Sequence, residues 1–275
     1  MFAGYKITLN KDFFSDIFSE EESFHDIGTS IYKNCKTKVK ESLDSYLLHN
    51  NKTISAAKLE KDWFPHFDAD IFLSHSHRDE ELVIKFAGWL SKSFGLKVFI
   101  DSCVWGYSGT LLKEIDDNYS FIRYNMDGST IYDYEKAKNS SSHVHMLLNG
   151  ALAKMIDDTE CLFFINTPNS ITVKESVNKT YSPWIYSELL LSNVVRRRKL
   201  EEYRKNVLKR PAEESYFNES RDLSIEYDAY TDRLKELPMN QLSKWKESSK
   251  KIGKPWMAMD KLYQMTGLFK NTICG

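Results

Sequence analysis

Short apolar runs and helical periodicities alternate through the middle of the chain. Residues 70–74 form an apolar run that is typical of a strand covered on both faces. The spacing of Ser76 and Asp79 suits a capping box, and apolar side chains then recur at helical intervals until Gly95, which is expected to end the helix. Residues 97–101 predict a second strand.

A long irregular stretch separates these elements from the next helix. Residues 102–140 contain glycines, aromatic and polar side chains without a clean period, so we expect a long, partly ordered loop there. Apolar side chains from Val144 to Ile156 follow the i, i+3, i+4 spacing of a helix that faces a core. Residues 161–166 predict a third strand.

The two ends of the chain give weaker patterns. Residues 20–60 favour helices, so residues 1–65 are interpreted as an N-terminal helical extension that packs on the core. Beyond residue 200, the expected elements are a charged helical stretch, an edge strand at 223–227 and helices at about 240–248 and 255–266. No position for a fifth strand emerges from the pattern.

Three successive strand–helix units predict an α/β fold, because parallel strands need crossover connections that place helices on both faces of the sheet. We expect a mainly parallel central sheet with a flavodoxin-like strand order. It would belong to one domain that spans residues 66–275 and contains the insertion at about 102–140. Ligands bind such sheets outside the carboxyl ends of the strands, where the strand order reverses. Here that point lies between the first and third predicted strands.

Composition excludes several classes of protein. The chain has 38 basic and 39 acidic residues and a formal charge of -1, so bulk charge indicates neither nucleic acid nor an acidic membrane surface as a partner. Four cysteines lie far apart without a C-x-x-C spacing, which argues against a disulfide framework and favours a reducing compartment. No stretch approaches the ~20 apolar residues of a membrane span. We therefore expect a cytoplasmic protein.

Polar side chains follow the first and third predicted strands at the expected ligand site. After the first strand the candidate binding residues are Ser74, His75, Ser76 and Arg78, and Thr167 follows the third strand. The helix after the first strand offers backbone N–H groups that suit a phosphate, and Arg78 is near enough to assist.

One carboxylate interrupts an apolar stripe on the helix predicted after the third strand. Ser182 and Pro183 are favoured at the start of this helix, which is expected to run to about residue 200. The side chains that share one stripe are Trp184, Glu188, Leu191 and Val195. Because burying an unpaired carboxylate costs free energy, such a group needs a charge or hydrogen-bond partner or has a functional role. Alternatively, the helix turns this stripe toward solvent, or Glu188 pairs with an arginine or a lysine.

Taken together, these segments resemble the TIR (Toll/interleukin-1 receptor) domain, and in particular its bacterial anti-phage defence branch, of which the Thoeris-type proteins are examples. The resemblance covers about residues 66–200. The segments that carry it are the strands at 70–76, 98–101 and 163–166 and the W-x-x-x-E segment within residues 182–188. The first strand and the W-x-x-x-E segment in this order are a fairly specific signal, whereas either alone is weak.

The resemblance implies an enzyme that cleaves the bond between nicotinamide and ribose in NAD+, with Glu188 as the required glutamate. Trp184 would line the nicotinamide side of the pocket, although plain packing is an alternative. NAD+ is then the substrate, and no cofactor is expected. Nicotinamide leaves as a neutral molecule from a cationic ring, so one carboxylate suffices to stabilise the oxocarbenium-like transition state.

The segment after the second strand occupies the position of the family's BB loop, which in many members mediates assembly and helps to complete the site. Asp101, Trp105 and Tyr107 are therefore further candidate substrate-binding residues. With Gly106 and Gly109, the two aromatic residues suit a mobile flap, and an ordinary surface loop is the alternative. The resemblance also implies self-association through TIR–TIR contacts.

A metal site is one rival interpretation of the first turn. His75, His77 and Asp79 fit the H-x-H-x-D spacing of metal-dependent hydrolases. The histidine that usually follows is replaced by Glu80, and few histidines remain to complete a two-metal site. We therefore expect no metal.

Two further features are interpreted as structural. The basic run at residues 196–199 is explained better by a helix dipole and solvation than by nucleic acid. His143 and His145 lie off the apolar stripe of their helix and are expected to be solvated or capping residues.

Several functions stay open within and beyond the enzymatic interpretation. The favoured product is a nucleotide signal, such as a cyclic ADP-ribose isomer, for a separate effector protein, because no second effector domain is evident in the chain. Bulk NAD+ depletion is the alternative product outcome. A TIR module that only binds other TIR domains is the competitor from another class, although Glu188 and Trp184 disfavour it. Neither nucleic acid nor a membrane is expected as a partner.

Overall fold

The computed structural model describes residues 1–9, 21–35, 46, 54–174, 177–205, 227–250 and 252–268. Its strands are β1 (Ala3–Thr8), β2 (Ile71–Ser74), β3 (Val98–Ile100), β4 (Phe121–Tyr124), β5 (Thr130–Tyr132), β6 (Cys161–Asn166), β7 (Thr172–Lys174), β8 (Val177–Thr180), β9 (Tyr227–Asp228) and β10 (Lys235–Glu236). Its helices are α1 (Glu21–Cys35), α2 (Ala56–Trp63), α3 (Glu80–Phe94), α4 (Ser102–Tyr119), α5 (Tyr134–Asp158), α6 (Pro183–Val194), α7 (Leu200–Lys205), α8 (Met239–Ser249) and α9 (Pro255–Met265).

Five parallel strands form the central sheet in the order β10-β1-β6-β2-β3. Ile71 of β2 lies opposite both Val98 of β3 and Cys161 of β6, so these three strands start at the same level. They are the three strands that the sequence predicts, and their relative order, second-first-third, is compatible with a flavodoxin-like sheet. The predicted α/β architecture with a parallel central sheet is confirmed.

The fourth and fifth positions of the sheet are filled by segments that the sequence pattern does not identify. β1 lies between β6 and β10, and its residues Tyr5 and Ile7 have no exposed surface. This position corrects the predicted helical extension for residues 3–8, which form an interior strand. The helices expected in the N-terminal part are present as α1 and α2. The fifth strand is β10, in which Lys235 pairs with Tyr5.

Helices cover both faces of this sheet. The connection from β2 to β3 runs in one direction across the sheet, and the connection from β3 to β6 runs in the other. Because such crossovers are right-handed, α3 lies on one face, while α4 and α5 lie on the other. Contacts between helices add α1, α8 and α9 to the layer of α3, and α2 and α6 to the layer of α4 and α5.

Residues 102–140 form helices and a hairpin, which corrects the expected loop. α4 begins directly after β3 with Asp101 as its N-cap, and the antiparallel β4–β5 hairpin connects it to α5. Serines and glycines in the first turns of α4 and a polar first half of α5 conceal the helical period in the sequence. All four residues of β4 are exposed.

Two glycines allow α1 and α3 to cross closely. A Cβ atom at Gly88 would collide with the carbonyl oxygen of Phe24, and one at Gly28 would collide with the carbonyl oxygen of Ile84. The backbones of the two helices are therefore in contact at the crossing. α3 ends as predicted at Gly95, whose φ of 68° is left-handed and favours glycine.

In the C-terminal part, some of the predicted helix and strand boundaries are confirmed and others differ from the structure. The two predicted helices are present as α8 and α9. Of the predicted edge strand, residues 223–226 lie outside the described residues, and Tyr227 begins β9, which pairs with β8 in a separate antiparallel sheet. α6 starts after Ser182 as predicted but ends at Val194, short of residue 200. None of the described helices combines the length and the apolar character needed to cross a membrane.

Candidate active site

Side chains from three elements meet at the carboxyl ends of the central strands. Ser74 is the last residue of β2, Asp101 follows β3, and Glu188 lies in the first half of α6. The crossover direction reverses between β2 and β6, which is where ligands bind in open parallel sheets. Among the predicted site residues, these three and His75 are brought together.

Glu188 is a fully buried acid. Its side chain has no exposed surface, and the hydroxyl group of Ser74 donates a hydrogen bond of 2.5 Å to its Oε2. The polar groups with the largest effect on its charge are Asp101, Ser74 and His75. The solvent-facing alternative is therefore wrong. Among the described residues, no lysine or arginine pairs with it either.

Asp101 is held by the residue that follows β2. The backbone N–H of His75 donates a hydrogen bond of 3.0 Å to Asp101 Oδ2, and Nδ1 of His75 lies 2.5 Å from Asp101 Oδ1. Both side chains have no exposed surface. The backbone N–H of Asp101 also bonds to the carbonyl oxygen of Leu73. The pairing of β2 with β3 thus fixes the position of this second acid.

Burial and mutual proximity control the protonation of the two acids. Burial raises the pKa of Glu188 well above its usual range, and the adjacent Asp101 carboxyl raises it further. Burial also raises the pKa of Asp101, while hydrogen bonds from Glu188 and from the backbone N–H groups of His75 and Ser102 oppose that rise. Two carboxyl groups in contact cannot both ionise away from water. Each carboxyl group therefore makes ionisation of the other less favourable.

His75 supplies no positive charge to this pair. Burial lowers the pKa of His75 to about 4, although the carboxyl groups of Glu188, Glu80 and Asp79 act in the opposite direction. The imidazole is consequently neutral at pH 7. The site holds acids without a compensating cation from this histidine.

Asp79 connects the turn after β2 to the loop after β6. Its Oδ2 accepts a hydrogen bond of 2.5 Å from Thr167 Oγ1, and its Oδ1 accepts one of 2.7 Å from Asn169 Nδ2. Thr167, which the sequence predicts as a binding residue, therefore has an internal partner. Asp79 and Asn169 are structural members of the site that the sequence did not assign, since only the fold brings the two loops together.

The turn after β2 differs from the predicted capping box. Ser76 precedes a 3-10 turn at His77–Asp79 and makes no capping hydrogen bond with its side chain, and α3 starts at Glu80. Arg78 is exposed on this turn. Acidic side chains at all of positions 79–81 oppose an anion near the helix N-terminus. These acids disfavour a phosphate at this helix end, and the expected role of Arg78 there stays a prediction.

Trp184 lies at the edge of the site, at the start of α6. Its ring is half-buried and stacks on His145, with centroids 5.5 Å apart and planes inclined by 29°. His145 is buried, and its Nδ1 lies 2.9 Å from the carbonyl oxygen of Ser141. The expectation that His145 is solvated or capping is wrong, whereas His143 is exposed. Trp184 thus packs against the core, and its expected role beside nicotinamide stays a prediction.

The predicted aromatic flap is part of a helix. Trp105, Gly106, Tyr107 and Gly109 all lie within α4, so neither a mobile flap nor a surface loop follows β3. Tyr107 is half-buried and packs against the core. The side chain of Trp105 lies outside the described part of the structure.

The residues of the H-x-H-x-D motif have different surroundings. His75 faces Asp101 inside the site, His77 is exposed, and Asp79 accepts hydrogen bonds from the loop after β6. Across the described ranges, no group of three or more His, Cys, Asp and Glu side chains could hold a metal ion.

The basic run at residues 196–199 forms ion pairs within the protein. Arg198 pairs with Asp157 and lies 3.0 Å from Asp158, and Arg196 lies 3.6 Å from Glu202. These acids neutralise part of the positive charge of the run. Less charge is then available to bind nucleic acid.

The site is closed, and its chemistry is that of a carboxyl pair. Ser74, Asp101 and Glu188 have no exposed surface, so a ligand reaches them only after an element moves. A buried carboxyl pair can exchange a proton, and an ionised carboxylate can stabilise a developing positive charge. No family model matches the chain, and comparisons with curated proteins and with solved structures likewise give no match.

Proposed function

We propose that this chain is a TIR-type enzyme that cleaves the bond between nicotinamide and ribose in NAD+. The observation that supports the proposal is the fully buried Glu188 at the reversal point of a parallel sheet, bonded to Ser74 and next to a second acid. Burying an acid without a cation costs stability, and such groups are concentrated at functional sites.

The proposed reaction breaks the bond between C1′ of the ribose and the ring nitrogen of nicotinamide. The bonding electron pair leaves with that nitrogen, so the cationic ring becomes neutral nicotinamide and needs no general acid. Positive charge develops on the ribose, where the ionised carboxylate of Glu188 would stabilise it. Water then adds to C1′ and loses a proton, which gives ADP-ribose.

The product assignment is a further part of the proposal. A nitrogen of the substrate's own adenine can replace water as the nucleophile and yield a cyclic ADP-ribose isomer. We favour such a signal for a separate effector in anti-phage defence, in a cytoplasmic protein that self-associates through TIR–TIR contacts. Bulk NAD+ depletion is the alternative. Chromatography of the reaction products separates cyclic from linear ADP-ribose and decides between hydrolysis and cyclisation.

Release of nicotinamide from NAD+ by the purified full chain is the test. Glu188→Gln keeps the size of the side chain and removes its charge, and it should abolish release. Glu201→Gln on α7 is the matched control, because Glu201 is exposed and should be dispensable. Release that persists in Glu188→Gln would overturn the assignment of the catalytic residue.

Complete burial of the acid pair favours a second candidate, a non-catalytic TIR module that binds only other TIR domains. In that case Glu188 and Asp101 would serve the packing of α6 on the sheet. The two candidates predict different results under crowded conditions that promote self-association. Association without nicotinamide release would support the module, and release that requires Glu188 would support the enzyme.

A further inference from the structure

We propose that Asp101 is a positioning residue that sets the protonation state of Glu188: the pair shares one proton at neutral pH, and Glu188 holds it. Glu188 would then become an effective carboxylate only when this proton leaves for solvent. The inference deepens the proposed function and rests on it for its catalytic meaning, while the proton itself can be measured without any substrate.

The first argument is burial. Glu188, Asp101 and His75 have no exposed surface, so water does not stabilise a charge on any of them. Two negative charges in contact would repel strongly in such surroundings. One of the two acids must therefore keep a proton over a wide range of pH.

The second argument is the unequal number of donors. Oδ2 of Asp101 accepts a hydrogen bond of 3.0 Å from the backbone N–H of His75, and Nδ1 of His75 lies 2.5 Å from its Oδ1. Glu188 accepts one hydrogen bond, from the Ser74 hydroxyl to Oε2. Among the described residues, no donor reaches its Oε1. Hydrogen bonds to a carboxylate favour its ionised form. Asp101 therefore ionises first, and Glu188 keeps the shared proton.

The third argument is the charge of the surroundings. The other titratable groups that act on the pair are His75 and Glu80, and Asp79 acts on His75; all three come from the turn after β2 and the start of α3. His75 is neutral at pH 7, and the two acids add negative potential. No group in this set offers a positive charge that would let Glu188 ionise more easily.

The proton can be followed by carbon NMR of the full chain labelled with ¹³C at the glutamate side-chain carboxyl. The signal of Glu188 is identified by its loss in Glu188→Gln. It should titrate far above the ordinary glutamate range in the wild type. In Asp101→Asn, where the opposing charge is gone, it should titrate lower by on the order of 1–3 pH units. The control Asp127→Asn, in the exposed hairpin, should leave the signal unmoved.

A second variant keeps the test decisive if Asp101→Asn does not fold. Ser74→Ala removes the hydroxyl that stabilises the ionised form of Glu188, and it should move the titration to still higher pH. A Glu188 signal that titrates in the ordinary range in the wild type overturns the inference, as does one that neither variant moves.

Activity measurements separate this inference from the proposed function. If NAD+ cleavage occurs, the rise of kcat/KM with pH should follow the Glu188 titration and shift to lower pH in Asp101→Asn. A purely structural role of Asp101 would lower the rate at every pH without moving this rise. A shifted titration without any NAD+ cleavage would overturn the function alone. Cleavage that requires Glu188, together with an ordinary titration, would overturn the inference alone.

Discussion

The hydroxyl group of Ser74 lies 2.5 Å from Oε2 of Glu188 and joins the end of β2 to α6. The two residues are 114 positions apart in the chain, so the contact forms only when α6 packs on the sheet. The position of Glu188 therefore depends on the tertiary structure and not on local sequence alone. Changes at this contact should affect both stability and the accessibility of the site.

Replacing the buried acid should make the protein less sensitive to alkaline pH. Burial raises the pKa of Glu188, so the folded chain keeps a proton that the unfolded chain releases above the ordinary glutamate range. The stabilising contribution is complete below that range and is lost as the pH rises through the pKa of the folded state. Glu188→Gln should therefore flatten the decline in the free energy of unfolding above about pH 5, measured by urea denaturation. An unchanged decline would contradict this account, and Glu201→Gln is the control.

His75 should produce the opposite dependence on the acid side. Burial lowers its pKa to about 4, so the unfolded chain binds a proton that the folded chain excludes. Its contribution is complete above the unfolded pKa of about 6.5 and is lost as the pH falls to about 4, by up to about 3 kcal/mol. His75→Gln should reduce this loss in urea titrations between these pH values. His77→Gln, at an exposed position two residues away, should not change it.

The close crossing of α1 and α3 predicts a strong effect of one methyl group. Gly88→Ala places a Cβ against the carbonyl oxygen of Phe24, so the helices must move apart. The free energy of unfolding should fall by about 1–3 kcal/mol. Gly109→Ala is the matched control, since a Cβ there meets no atom within 4 Å inside α4 and should stabilise the protein by roughly 0.5–1 kcal/mol. Equal effects of the two substitutions would refute the crossing geometry.

The interior position of β1 predicts that its apolar residues are essential for stability. Ile7 has no exposed surface, and Ile7→Ala should lower the free energy of unfolding by about 2–5 kcal/mol. Thr8 is the exposed neighbour on the same strand, and Thr8→Ala should cost less than about 1 kcal/mol. Thermal or urea denaturation measures both. A small effect at Ile7 would show that β1 is not an interior strand.

Much of the sheet was predictable because the segments 70–74, 97–101 and 161–166 each contain an uninterrupted apolar run. β1 lacks that signal, since Lys6 interrupts its apolar residues and the strand is recognisable only from its pairing with β6. β10 has two residues, too few for any period. In α4, glycine and serine weaken the helical pattern, while the sheet and α5 provide the packing that stabilises it.

The members of the site were partly predictable from their positions after strands. Ser74 and Asp101 end predicted strands, His75 follows one, and Glu188 was singled out by an apolar stripe. The contact between the two acids was not predictable, because it depends on the register of β2 with β3 and on the rotation of α6. The acidic residues at 79–81 were visible in the sequence and already opposed a phosphate at that helix end.

The placement of β1 between β6 and β10 also sets an order of events on the ribosome. Residues 3–8 are synthesised long before their partners at 161–166 and 235–236. At about 5–20 residues per second, on the order of 10–30 s pass before β6 has been made. Until then Tyr5 and Ile7 have no sheet to cover them, so the nascent chain carries an unpaired apolar strand that chaperones can bind. Closure of the sheet is a late, long-range step, and slow folding is the expected result.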